Sequence, residues 1–317
     1  MESTNYCQSC NEQSRTRRIS VLGKELDVKG YICSTDGVNY PQKPADIQLQ
    51  MSVNPTSYCP ASCAFCIAKG TKTVNKIDLV KFEKVMTALK KENVVRGVKI
   101  TGGEPCGDIK LLDEVVSILY ETFGFKLELS MSTNGMGLEN LHKIKYLEHM
   151  ESIHISRHHY DDSINQKIFN AAVPDTKKLK EIISSVSYKD IFVLNCMLLK
   201  DYINSPEEAH HFLDYAIEVG VPKVGFMVCM PINDYAKKQT IKYGEVLRDD
   251  DPSIFFTRGF VDYEACRCRD GVYVSKTGNL IEFYGRDTNP SGCNYCRGFV
   301  YDADNHLRDG FSGNIIV

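Results

Sequence analysis

Between Ile47 and Met230 the sequence alternates six times between two hydrophobic rhythms, and this alternation constrains the fold more than any other feature. Ile47, Leu49, Met51 and Val53 alternate with Gln48, Gln50 and Ser52, the period-two signature of a strand. Leu79, Phe82, Val85, Met86 and Leu89 then follow helical spacing behind Asp78, a side chain suited to cap a helix. Further strands are predicted at Gly97–Thr101, Lys126–Ser132, Ser152–Ser156, Ile191–Leu198 and Lys223–Met230. Helices are predicted between them at Leu111–Thr122, Leu138–Glu148 and Asp175–Ser185, and after Ser205-Pro206-Glu207-Glu208 as far as Gly220. Strands that alternate with helices imply right-handed crossovers and a parallel sheet. Six units are too few for a closed eight-fold barrel, so the expectation is an α/β fold, a partial (β/α)6 TIM-like open barrel.

The flanks break this rhythm. Residues 1–45 form a small N-terminal element with Cys7, Cys10 and Cys33. It also carries a short β pair, Arg18–Leu22 and Glu25–Val28, turning at Gly23. The barrel is expected over 46–245. Within 246–317, Val272–Ser275 and Leu280–Phe283 flank Lys276-Thr277-Gly278-Asn279, which reads as a β-hairpin. Cys266 and Cys268 precede this hairpin, and Cys293 and Cys296 follow it.

Charge and targeting signals narrow the function classes. The net charge is −3 and the pI about 6.3, so no global basic field invites nucleic acid or an anionic membrane. Arg15-Thr16-Arg17-Arg18 is short enough to be a solvated edge. No stretch reaches the length that crosses a bilayer, and no apolar leader precedes the first element. Thirteen cysteines without an export signal predict a reducing, cytoplasmic setting. There, clustered cysteines read as metal ligands or catalytic thiols before disulfides.

The sharpest cluster is Tyr58-Cys59-Pro60-Ala61-Ser62-Cys63-Ala64-Phe65-Cys66, directly after the first predicted strand. Three thiolates on one loop can converge on an iron–sulfur cluster, or on zinc if a fourth ligand joins them. Cys-x3-Cys-x2-Cys, with an aromatic residue before its last cysteine, resembles the radical S-adenosylmethionine (SAM) superfamily. Gly102-Gly103-Glu104-Pro105, at the end of the second strand, resembles that family's next landmark. Ser132-Thr133-Asn134-Gly135 and Ser156-Arg157 fall where the family contacts SAM. The resemblance spans roughly 47–230. It implies a [4Fe-4S] cluster on Cys59, Cys63 and Cys66, with one iron left to chelate the methionine portion of SAM. Phe65 would lie at the cofactor. Gly102 and Gly103 would let backbone approach the SAM amino group, and Glu104 would face its ammonium. Ser132, Asn134 and Ser156 would meet the ribose or the carboxylate, and Arg157 would pair with the carboxylate or form a salt bridge at the rim.

The cysteine pairs around the C-terminal hairpin resemble a "twitch" or SPASM-type extension that carries an auxiliary [4Fe-4S] cluster. Cys266, Cys268, Cys293 and Cys296 would be its ligands, and structural zinc accepts the same set. A cysteine expected just after the second hairpin strand is absent; Phe283 and Tyr284 stand there. Cys7, Cys10 and Cys33 are open between zinc, a further cluster and plain thiols. Cys106 follows the Gly-Gly-Glu-Pro turn as a ligand, radical partner or buried thiol. Cys196 and Cys229 lie within strands, as small apolar packing or, if turned inward, as hydrogen donors. His158-His159-Tyr160-Asp161 closes the fourth strand, where such folds place chemistry, with His158 a candidate for substrate contact or proton transfer. A solvated loop capping the next helix is the alternative.

The resemblance implies reductive cleavage of SAM to a 5′-deoxyadenosyl radical that abstracts hydrogen from a peptide or small-metabolite substrate. Dehydrogenation, epimerisation and C–C or C–S bond formation all fit. An external electron donor of the flavodoxin or ferredoxin type is implied. The molybdenum-cofactor cyclase is similar in layout, but Asp309-Gly310-Phe311-Ser312-Gly313-Asn314 does not match its glycine-rich tail. A non-enzymatic metal-binding scaffold is the reading from another class.

Overall fold

The computed structural model describes residues 16–29, 47–66, 74–247, 254–259, 268–286, 298–310 and 313–317. β1 (Thr16–Val21) and β2 (Lys24–Lys29) form the expected antiparallel pair, with Gly23 at a φ of +81° in the turn. β3 (Leu49–Val53), β4 (Val95–Ile100), β5 (Glu128–Thr133), β6 (Ser152–Ser156), β7 (Phe192–Leu198) and β8 (Lys223–Val228) then run parallel, each beside its predecessor. All six were legible as apolar, period-two or buried runs.

The later strands extend this same sheet. β9 (Ile254–Gly259) pairs antiparallel with β10 (Cys268–Ser275), which forms the predicted hairpin with β11 (Leu280–Arg286). β11 lies parallel to β8, while β12 (Gly298–Tyr301) lies parallel to β3 and β13 (Leu307–Arg308) pairs antiparallel with β12. The resulting order is β13-β12-β3-β4-β5-β6-β7-β8-β11-β10-β9, and its two edge strands do not pair with each other. The barrel is therefore open, and chain from beyond residue 250 supports both of its flanks.

Helices α1 (Leu79–Lys91), α2 (Ile109–Phe123), α3 (Asp162–Phe169), α4 (Thr176–Ser185), α5 (Pro206–Glu218) and α6 (Asp234–Gln239) fill the crossovers. Each begins at a side-chain cap: Asp78, Asp108, Asp161, Asp175, Ser205 and Asn233 accept hydrogen bonds from first-turn amides. Phe82, Met86, Leu112, Val116 and Leu119 pack with Leu129 and Met131 of β5 in one buried core. Strand residues alternate between faces, so Glu128, Ser130 and Ser132 of the same strand project from the opposite, inner wall. Gln50 and Ser52 alternate with buried Leu49, Met51 and Val53 in the same manner. The outer faces of β3 and β5 are apolar and covered, and their inner faces are polar.

One predicted helix is corrected. Leu138–Glu148 is two 3-10 turns, Leu138–Lys143 and Leu147–His149, separated by an extended Ile144. Leu138, Leu141, Ile144, Leu147 and Met150 are all buried and recur every third residue. That spacing lines one face of a three-per-turn helix, whereas at 3.6 residues per turn it drifts off the core. Short α3 and α6 escaped the sequence reading because each is too brief to establish a helical period.

Phe82 is fully buried on α1 and meets Tyr301 of β12 edge to face at 5.1 Å between ring centroids. Phe82→Ala is expected to cost about 3–5 kcal/mol, read as a lower urea midpoint. A loss under about 1 kcal/mol would mean that α1 does not anchor the C-terminal strand.

Candidate active site

The cysteine loop leaves β3 at Asn54 and crosses the C-terminal ends of the parallel strands. Its backbone is tied at successive points. The Asn54 amide donates to the carbonyl of Tyr301 (2.9 Å) and that of Ser57 to Asn75 (2.9 Å). From the end of β4, the amides of Gly103 and Glu104 donate to the carbonyls of Thr56 (3.0 Å) and Tyr58 (2.6 Å). The Ser62 amide donates to the carbonyl of Phe169 at the end of α3 (2.9 Å), and Asn233 Nδ2, at the cap of α6, donates to that of Ala64 (3.2 Å). A segment without secondary structure is thus fixed by three different crossovers.

On this loop Cys59 is exposed, Cys66 is half-buried and Cys63 is buried against Phe169 and Val173; no disulfide engages any of the three. Cysteines at this spacing on a pinned loop, two of them open to solvent, suit thiolate ligation of a cluster. The residues present therefore fit a [4Fe-4S] group with three protein ligands.

Gly102 and Gly103 serve the loop itself. A Cβ on Gly103 would lie 2.1 Å from the Tyr58 carbonyl oxygen, and one on Gly102, whose φ is +110°, would lie 2.7 Å from Cβ of Asn54. The close approach that demands glycine here is that of the protein's own chain.

Glu104 does not project into the open site. It is 1% exposed, and its carboxylate accepts hydrogen bonds from Thr133 Oγ1 (2.6 Å), the Asn134 amide (2.7 Å) and the Cys106 amide (3.0 Å). Burial pushes its carboxyl up to about 7, against these stabilising hydrogen bonds. Asn134 in turn accepts from the Met136 amide through Oδ1 (3.0 Å) and points Nδ2 at Cys59 Sγ, 3.7 Å away.

Arg157 is likewise turned inward, at 2% exposure. It donates to the carbonyls of His159 (2.8 Å), Pro174 (3.2 Å) and Tyr160 (3.0 Å), bridges to Asp162 at 2.5 Å and stacks over the Tyr215 ring at 4.8 Å. The arginine fixes the loop after β6 to the start of α3. His158 is 3% exposed, stacks on Phe169 (4.8 Å) and meets Phe65 edge-on (5.3 Å). Its Nδ1 accepts the Met197 amide at 3.1 Å, and burial, assisted by Arg157, lowers the imidazole to about 3. The loop holding it is buried, and Asp161 caps α3 as the alternative reading held.

Ser132 and Ser156 stay half-buried on the inner wall, at the ends of β5 and β6. Cys106 packs in the main core with its sulfur 4.0 Å from Met131 Sδ. Cys196 shares that core with Leu194 and Leu198, on the helix side of β7, and Cys229 packs with Leu199 and Ala236. Burial raises all three thiols. Cys7, Cys10, Cys33, Cys266, Cys293 and Cys296 lie outside the described residues, and of Cys268 only the backbone, at the start of β10, is described. The sequence reading missed Thr133, Asn165 and Asn233, which hold the frame. Asn165 Oδ1 accepts the His158 amide at 2.8 Å. Asn233 carried a signal, as an asparagine before a short polar segment.

This arrangement, a three-cysteine loop over the strand ends of an open parallel barrel, defines a class of SAM-dependent iron–sulfur enzymes. The Radical SAM superfamily profile matches residues 53–243, more than half of the chain, and the protein belongs to that superfamily. It is an enzyme, and the family implies a [4Fe-4S] cluster and SAM as cofactors. Among curated proteins, the probable GTP 3′,8-cyclase of Sulfurisphaera tokodaii is 27% identical over 265 residues, covering 81% of this chain and 79% of that protein. The probable GTP 3′,8-cyclase of Saccharolobus solfataricus is 26% identical, covering 80% and 79%. Among solved structures, Streptococcus suis SuiB bound to S-adenosylmethionine superposes with a TM-score of 0.59 at 16% identity, over 85% of this chain. SuiB bound to its precursor peptide SuiA gives 0.58 at 18%. The chain spans 63% of the length of the SAM-bound SuiB structure, and the likeness is one of fold.

Two outcomes follow from the geometry. Gly103→Ala is expected to retain the far-UV circular dichroism of the fold while losing most of the iron bound on anaerobic reconstitution; full iron loading would contradict the tight seat at Tyr58. For Glu104, a folded value of about 7 above the ordinary 4.5 means that the folded state holds the proton more firmly. The contribution to stability is then greatest below pH 4.5 and falls as pH rises to 7. Glu104→Gln should become more stable relative to wild type across that window, by roughly 2–4 kcal/mol in urea titrations of the metal-free protein. A pH-independent difference would refute the shift.

Proposed function

We propose that this enzyme generates a 5′-deoxyadenosyl radical from SAM and uses it to abstract hydrogen from a peptide or small metabolite. The carrying observation is the loop of Cys59, Cys63 and Cys66, tied down by three crossovers over the open end of the barrel. These cysteines would hold a [4Fe-4S] cluster. When bound, the cluster supplies the electron that cleaves SAM into methionine and the radical.

The protein's part is placement. Ser132 and Ser156, half-buried on the inner wall, offer hydroxyls to the ribose or the carboxylate of SAM. Gly102, Gly103, Glu104, Asn134 and Arg157 form the rim, with Glu104 and Arg157 acting from beneath it. Phe65, edge-on to His158, walls the loop on the barrel side. Exposed Cys59 marks the face through which an external donor of the flavodoxin or ferredoxin type would deliver the electron.

The hairpin β10–β11, which begins at Cys268 and runs between Cys266 and Cys293, supports an auxiliary [4Fe-4S] cluster on Cys266, Cys268, Cys293 and Cys296. The chain would then divide into the N-terminal element 1–45, the barrel 46–245 and the cluster-bearing region 246–317. No described helix is long and apolar enough to cross a membrane.

A second reading has its own support. The two archaeal relatives named as probable GTP 3′,8-cyclases align over about four-fifths of both chains, which favours a cyclisation of GTP by the same radical.

Anaerobic reconstitution, reduction with dithionite and addition of SAM should yield 5′-deoxyadenosine, with Cys59→Ala at background. No product above that variant would sink the enzyme reading. Supplying GTP separates the two readings: GTP-dependent stimulation with deuterium transfer from GTP favours the cyclase, and inert GTP favours a peptide or other metabolite. Cys59→Ala protein should keep about four irons if the auxiliary cluster is present, while zinc alone would mark a structural site.

A further inference from the structure

Three contacts form a closed circuit around Cys59. The Glu104 amide donates to the carbonyl of Tyr58, the residue before Cys59, at 2.6 Å. The Glu104 carboxylate accepts the Asn134 amide at 2.7 Å. Asn134 Nδ2 reaches Cys59 Sγ at 3.7 Å. Glu104 therefore grips the cysteine loop with its backbone and the end of β5 with its side chain, and so sets the separation between Asn134 and the sulfur. The orientation of the Asn134 amide is also fixed, because Oδ1 accepts the Met136 amide at 3.0 Å and leaves Nδ2 facing Cys59. Thr133 stiffens the same turn, donating to Glu104 and accepting the Gly135 amide at 3.0 Å.

We propose that Asn134 donates an N–H···S hydrogen bond to Cys59 that raises the reduction potential of the cluster, and that Glu104 is the positioning residue for this contact. The inference rests on the reading above, that Cys59 is a cluster ligand. A donor dipole aimed at a ligand sulfur stabilises the reduced, more negative state of the cluster over the oxidised one. Groups that support a ligand commonly tune the metal centre in this way.

The test is an EPR-monitored redox titration of the reconstituted enzyme without SAM. Asn134→Ala removes the donor, and Asn134→Asp keeps the acceptor for Met136 while replacing the donor with a carboxylate. Both are expected to titrate more negative than wild type, Asn134→Asp further. A tenfold lower ratio of reduced to oxidised cluster at a fixed potential corresponds to ~59 mV for one electron. Glu104→Gln should shift in the same direction by less, with iron content retained. In wild-type protein carrying 15N-asparagine, pulsed EPR of the reduced cluster should detect a weak nitrogen coupling. Unshifted potentials in cluster-loaded variants would overturn the proposal. If the variants take up no cluster, the labelled wild type decides, and absence of the coupling overturns it. A wild-type protein that takes up no cluster at this loop would overturn the cluster reading itself, which is a distinct result.

Discussion

The hydrogen bond from the amide of Glu104 to the carbonyl of Tyr58 is only 2.6 Å long, and it forms because no side chain stands on Gly103 to keep the two backbones apart. The rest of the site depends on this contact. It brings the cysteine loop down onto the end of β4. Once it is made, the Glu104 side chain has nowhere to point except beneath the rim, where Thr133, Asn134 and the Cys106 amide solvate it in place of water. A buried carboxylate without those donors would cost several kcal/mol. With them it links β4 to β5, and the cost of burial remains visible as a carboxyl raised to about 7.

Arg157 repeats the same logic one strand further on. A guanidinium at 2% exposure is tolerable only when its donors are satisfied, and carbonyls of His159, Tyr160 and Pro174 with the Asp162 carboxylate do this. The loop after β6, the start of α3 and the approach to α4 are thereby locked together. α3 then presents Phe169, whose carbonyl takes the Ser62 amide and whose ring flanks Cys63 and His158. Glu104 thus holds the cysteine loop directly at Tyr58, while Arg157 braces α3, whose Phe169 carbonyl holds the loop at Ser62.

The architecture was legible because strand and helix periods are written in local sequence: Leu49, Met51 and Val53 against Gln50 and Ser52 state both the strand and its two faces. The cysteine loop was legible from spacing. What the sequence does not carry is direction. Glu104 and Arg157 are polar residues at strand ends, where a ligand is expected, yet both turn into the protein because acceptors and donors from distant segments surround them. Asn134 reads as a ligand contact, and its approach to Cys59 is not written in the local sequence. Cys196 faces the packed side of the sheet, and Cys229, one residue beyond β8, is buried in a small cluster with Leu199 and Ala236. The three-residue repeat from Leu138 to Met150 is present in the sequence, but over so short a span it imitates an α-helical period. Nor could local patterns foretell that β11 and β12 return to flank β8 and β3, since non-local pairing leaves no periodic trace.

The site's protonation states fit radical chemistry better than acid–base chemistry. General catalysis at neutral pH needs a group poised to gain or lose a proton near 7 within reach of substrate. At these strand ends His158 is held neutral by burial, the thiols of Cys106, Cys196 and Cys229 are held protonated, and Glu104, though near 7, is sealed under the rim by three donors. What the inner wall does present beside the cysteines is hydroxyl groups, those of Ser132 and Ser156, which bind without titrating. Among the described residues, a barrel end of neutral, non-titrating groups suits a reaction in which a neutral hydrogen atom, not a proton, is moved.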